Sequence, residues 1–132
     1  MTEEGFKVIA VLGALLGASG VALGAFGAHG LSAVLEANGR TATYDTAVRY
    51  HLIHAAALIG IAALAAALNT SALVPAGVVL TIGTAVFSGA LYLLAIFDLR
   101  IMGAIAPIGG VLMVAGWVWV LIAVLRHTPP VS

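Results

Sequence analysis

Four stretches of this chain are each long enough and apolar enough to cross a lipid bilayer, at about residues 6–28, 47–68, 73–97 and 103–125. A helix needs about 20 mostly apolar residues to span a hydrocarbon core about 30 Å thick. The rest of the composition leaves no water-soluble alternative. Only 8% of the residues are charged and 63% are hydrophobic, against roughly 25% charged in soluble domains, whose surfaces must face water. A cytosolic enzyme, a secreted domain and a disordered linker are excluded. Five Lys and Arg balance five Asp and Glu, so no net field draws nucleic acid. Cysteine is absent, which removes disulfides, thiolate metal sites and thiol nucleophiles. The segment before the first stretch is acidic (Glu3, Glu4) with a single Lys7, and the stretch exceeds a usual signal-peptide core. An uncleaved span is expected.

The connections are uneven. Asn69-Thr70-Ser71-Ala72 forces a tight antiparallel hairpin between spans two and three, and its glycosylation pattern lies too close to the membrane to be used. Asp98-Leu99-Arg100-Ile101-Met102 is also short, with Asp98 read as a turn residue beside Arg100. The long connector, about 29–46, places Leu31, Val34 and Leu35 at helical spacing opposite Ser32 and Glu36, ahead of Asn38-Gly39. That pattern predicts a short amphipathic helix in the membrane interface. Glu36/Arg40 and Asp45/Arg49 are acid-before-base pairs four apart, the favourable order on a helix. The second pair predicts that span two begins as helix before entering lipid. The expected architecture is an all-α single domain, a four-span bundle with an interfacial helix between spans one and two. An even number of spans puts both termini on one side with Asn69, opposite the connector and the 98–102 turn. Arg40, Arg49 and Arg100 against Lys7 and Arg126 lean the connector toward the cytoplasm.

Lipid offers no hydrophobic drive between helices, so close packing must come from small residues. Gly13, Gly17, Gly20, Gly24 and Gly27 step by four and three along span one, a period of 3.5 that keeps them on one seam. The seam is expected to pack against a neighbour, within the chain or in another copy. Gly83, Gly89, Gly110 and Gly116 show no comparable register. Trp117 and Trp119 read as aromatic-belt residues on the terminal side.

Polar residues at membrane depth are the candidates for function. His51 and His54, three apart, share a helix face. His54 lies roughly 10 Å inside the connector-side boundary and Tyr92 about 9 Å from that side, with Ser88 one turn deeper. With Arg49, Tyr50 and His29 at the mouth, three spans could line one pocket open to the connector side. Several chemistries fit these residue types. His29, His51 and His54 could hold a divalent metal through three imidazoles, or two of them a b-type haem. His54, Tyr50, Arg49 and Tyr92 could hydrogen-bond a quinone or a lipid headgroup. All of them could instead bond one another and tie the connector to the bundle. No Ser/His/Asp set, phosphate loop or paired intramembrane carboxylate occurs in the sequence, so no catalytic residue is assigned and no resident cofactor is required.

Motifs in all four spans carry a family resemblance. Gly24-Ala25-Phe26-Gly27-Ala28-His29-Gly30-Leu31 closes the first, and Thr46-Ala47-Val48-Arg49-Tyr50-His51 with His54 opens the second. Phe87-Ser88-Gly89-Ala90-Leu91-Tyr92 lies in the third, and Pro107-Ile108-Gly109-Gly110 with Gly116-Trp117 in the fourth. In these the chain resembles the YgdD-like small membrane proteins, the domain of unknown function 423 group, which includes the eukaryotic transmembrane protein 256. Ala90 and Ala106 depart from the serine and threonine common there. The resemblance implies residence in a bacterial cytoplasmic membrane or its organellar counterpart, and brings no established activity. The expected function is a non-enzymatic membrane protein that binds lipid or partner subunits, as a homo-oligomer or within a membrane complex. The alternative is a small redox, metal- or quinone-binding subunit using the histidines.

Overall fold

Inside lipid a lone segment satisfies its backbone N–H and C=O groups only as a helix, and the chain takes that state over every apolar stretch. The computed structural model describes residues 2–131. Its elements are α1 (Thr2–His29), α2 (Ser32–Ala37), α3 (Thr41–Ala67), α4 (Val74–Phe97) and α5 (Met102–Arg126), with no strand among the described residues. All but α2 are long and apolar enough to cross a membrane. Helix α3 begins six residues before the apolar stretch does, carrying Asp45 and Arg49 within its first turns.

Left-handed residues set the ends of α2, α3 and α4. Gly39 (φ 64°) follows α2, its N–H reaching the Glu36 carbonyl and that of Arg40 the Leu35 carbonyl. These are the paired bonds of a Schellman turn. Asn69 (φ 48°) repeats the motif after α3, with Asn69 N–H on Ala66 and Thr70 N–H on Ala65. Asp98 (φ 51°) ends α4. The break at Gly39 separates Glu36 from Arg40, so they do not form the i,i+4 pair that their spacing suggests. Arg40 instead reaches across the fold to Asp98, Nη2 to Oδ1 at 3.3 Å.

The short helix α2 is fastened to the bundle as well as amphipathic. Leu35 is buried between Tyr44, Ala47, Tyr92 and Ala95. Just beyond α2, Asn38 donates its side-chain amide to the carbonyls of Ala95 (3.0 Å) and Ile96 (3.1 Å). Those carbonyls lie in the last turn of α4, where intrahelical partners run out.

Helix α1 packs on α3, α3 on α4 and α4 on α5, while α1 meets α4 over a narrower front and α5 makes no close backbone approach to α1 or α3. The inner pair α3 and α4 bury 39% and 44% of their most apolar stretch and the outer pair 17% each, so α1 and α5 present most of their surface to the surroundings. The closest backbone approach is between α4 and α5. A Cβ on Gly109 would strike the backbone of Phe87, and one on Gly83 would lie 2.8 Å from the Met113 nitrogen. A third, on Gly116, would come 2.6 Å from Leu80 Cγ. These glycines, which lack an evident register in sequence, carry a tight helix contact.

Two apolar clusters fill the interior. One holds Ile9, Leu58, Ile61, Leu73, Leu80 and Met113 toward the termini; the other holds Leu35, Tyr44, Ala47, Tyr92 and Ala95 beside the connector. Between them lies a polar layer of His51, His54, Thr84 and Ser88, all buried. His54 is the midpoint of α3.

Candidate functional site

A polar layer halfway along a membrane helix is costly unless its atoms are paired, since each unsatisfied group in hydrocarbon costs several kcal/mol. Among the described residues every buried side-chain nitrogen and oxygen has a partner. His51 binds two helices at once: its Nδ1 lies 2.8 Å from the Tyr92 hydroxyl on α4 and its Nε2 3.0 Å from Ser19 Oγ on α1. The Ser19 hydroxyl donates back to the Leu15 carbonyl at 2.8 Å. With its one proton used there, Ser19 accepts from His51 Nε2–H, and Nδ1 accepts from Tyr92 O–H. The approach is open because Gly20 has no side chain: a Cβ there would lie 3.2 Å from His51 Cδ2. Ser88 Oγ donates to the Ala47 carbonyl at 2.8 Å, joining α4 to α3, and Tyr44 donates its hydroxyl to the Leu23 carbonyl, joining α3 to α1.

His54 serves a different neighbour. The Trp117 indole N–H on α5 donates to its Nε2 at 3.1 Å, and its Nδ1 lies 2.8 Å from the Tyr50 carbonyl one turn back. Trp117 and Tyr50 also flank the imidazole with their rings, at 6.0 and 6.2 Å.

The sequence-derived candidates therefore divide among three places. His51, Ser88 and Tyr92, with Ser19 and Thr84, line a crevice of about 250 Å³ whose walls are α1 and α4 and whose floor is α3. It opens sideways between α1 and α4. Tyr50 and His54 line a groove of about 540 Å³ with Phe87, Pro107, Gly110 and Trp117. Arg49 is exposed and borders a cavity of about 330 Å³ with Glu36, Thr41 and Asp45. His29 joins none of these; it is exposed at the end of α1, where its carbonyl accepts from Ser32 Oγ at 3.2 Å. The three-imidazole metal cluster is corrected accordingly: among the described residues no group of three His, Asp or Glu stands close enough to hold a metal. His51 and His54 are adjacent on α3, but a three-residue step rotates them onto different partners, and His29 lies beyond the helix end.

The glycines of α1 stand against α3. Cβ atoms would lie 3.0 Å from Leu58 Cβ at Gly13, 2.7 Å from Leu52 Cδ2 at Gly20 and 3.2 Å from Val48 Cγ1 at Gly24, and would strike the Tyr44 ring at Gly27. Gly17 has more room, with Ala55 Cβ at 3.9 Å.

Sequence reasoning missed Ser19, Tyr44, Thr84 and Trp117. Ser19 carried a signal, as a hydroxyl flanked by Gly17 and Gly20. So did Trp117, which precedes the end of α5 by nine residues, roughly 14 Å at 1.5 Å each. That is too deep for the interfacial belt that its sequence position beside Trp119 suggests.

The family model described as "Protein of unknown function (DUF423)" matches residues 23–110. The chain is 37% identical over 122 residues to the UPF0382 membrane protein YwdK of Bacillus subtilis, covering 92% of this chain and 98% of that one. It is 35% identical over 120 residues to the UPF0382 inner membrane protein YgdD of Escherichia coli, covering 91% of each. A Staphylococcus epidermidis UPF0382 membrane protein is 41% identical over 122 residues, 91% of this chain and 97% of its own. No solved structure matches.

Proposed function

This chain belongs to the DUF423 family of membrane proteins, and from that premise we propose that it is a non-enzymatic protein of the bacterial cytoplasmic membrane that binds a lipid in the crevice between α1 and α4. The observation that carries the reading is the exposure of Ser19 at the mouth of a crevice whose floor is His51. Ser19, Thr84, Ser88 and Tyr92 each use their proton inside the protein, on Leu15, Leu80, Ala47 and His51. Their oxygens keep lone pairs, so the crevice suits a hydrogen-bond donor such as a lipid hydroxyl set among apolar walls. It lacks the paired acid and base, or activated nucleophile, that bond-breaking chemistry needs.

The glycine seam of α1 belongs to the same reading. By bringing α1 against α3 it sets the depth at which Ser19 meets His51. The outer faces of α1 and α5 then remain for lipid or for association with further subunits.

Native mass spectrometry of the purified protein with a mixture of defined bacterial lipids tests the proposal. Wild-type protein should retain a lipid that Ser19→Leu, which fills the crevice mouth, retains several-fold less. Equal retention by both would refute the crevice as the site.

A further inference from the structure

A second cavity lies at the opposite end of the molecule, on the side of the termini. About 490 Å³ in volume, it is bounded by the Asn69–Thr70 turn and the end of α5, with Arg126, His127 and Thr128 along its rim. Trp119, Ile122 and Arg126 are shared with an adjoining groove of about 470 Å³ that runs along α5 past Val118 to Ala115. Polar groups make up more of the lining of the cavity than of the groove, and the two adjoin at those shared side chains.

We propose that this end binds an anionic phospholipid, with its phosphate held by Arg126, His127 and Thr70 and one acyl chain laid along α5 over Trp119, Ile122 and Val118. Arg126 forms no ion pair with a carboxylate among the described residues. It supplies a planar set of donors suited to phosphate oxygens. Thr70 Oγ1 accepts from the Ala72 N–H at 3.1 Å, which leaves the hydroxyl proton to donate. Among the residues that line the cavity, Arg126 is the one formally charged side chain. Length agrees as well: eleven residues from Ala115 to Arg126 rise roughly 16 Å, about the depth of one leaflet of a core about 30 Å thick. Trp119, seven residues before Arg126, lies roughly 10 Å below the rim, on the path of the acyl chain.

The occupant is a phospholipid rather than free phosphate because the apolar groove would otherwise stand unfilled beside the rim. The test is native mass spectrometry of the full chain with equimolar dioleoyl phosphatidylglycerol and dioleoyl phosphatidylcholine, with Arg126→Gln and Arg126→Lys beside the wild type. Wild-type protein should keep one phosphatidylglycerol at least five-fold in preference, Arg126→Gln should lose the preference, and Arg126→Lys should keep part of it. Millimolar inorganic phosphate should not displace the lipid. Equal binding of the two lipids by wild type, an unchanged preference in Arg126→Gln, or displacement by phosphate would each overturn the proposal. Arg126 is exposed at a helix end, so its removal leaves the packed interior intact. Ser19→Leu should retain the phosphatidylglycerol preference, which separates this site from the crevice.

Discussion

Trp117 donates its indole N–H to Nε2 of His54 at 3.1 Å, and that single bond settles the state of the histidine. Indole nitrogen is a donor only, so Nε2 accepts, the proton sits on Nδ1, and Nδ1–H donates to the Tyr50 carbonyl 2.8 Å away. Both ring nitrogens are engaged within the protein in this way, and the imidazole works as a strut between α3 and α5.

Removing one end of that strut leaves a buried acceptor unpaired. Trp117→Phe should lower stability by about 1–3 kcal/mol, read from thermal unfolding in detergent, whereas Trp119→Phe, on the same helix, should change it far less. Equal effects would mean that the bond does not form.

Ser19, His51 and Tyr92 form one chain across three helices, so their contributions should not add. Ser19→Ala and Tyr92→Phe each break one link, and the double variant should show a coupling of about 0.5 kcal/mol or more. Strict additivity in the same unfolding measurement would show that the two contacts are independent.

Space, rather than glycine content, should decide which glycines tolerate a methyl group. Gly109→Ala meets the Phe87 backbone, which cannot swing aside, and should cost more than about 2 kcal/mol or abolish folded yield. Gly89→Ala meets nothing within 4 Å and should be neutral or slightly stabilising. Gly17→Ala should also be mild, against a clear loss at Gly27→Ala.

The start of α1 and the end of α5 stand at the Asn69 end of the bundle, opposite the Arg100 turn. Single cysteines at Glu3, Asn69 and Val131, in a chain with no native cysteine, should react with an impermeant thiol reagent from one face, and one at Arg100 from the other. Labelling of Glu3→Cys and Val131→Cys from opposite faces would contradict a four-span fold.

Lengths and breaks of the helices were legible because lipid makes hydropathy and turn residues decisive: Gly39, Asn69 and Asp98 stand where the helices stop. The neighbours were not legible. A spacing of three on α3 says that His51 and His54 share a face, but not that α1 and α4 flank one while α5 claims the other. Trp117 reads as an interfacial residue in sequence because indole chemistry fits the membrane interface equally well. The Gly83–Gly109 contact was hidden because its residues lie on two helices, where no single-helix register can reveal them.

The fastening of α2 has a consequence for how the chain is made. Asn38 and Arg40 find their partners at Ala95, Ile96 and Asp98, the last pair 58 residues apart in sequence. During synthesis the first two spans can enter the bilayer and pair through their glycines while this latch still has nothing to hold. It closes only when the far end of the third span has emerged and crossed to the same side. Insertion of α4 in the correct direction is thus the event that completes the first loop, and a nascent chain halted before Asp98 would leave that loop undocked.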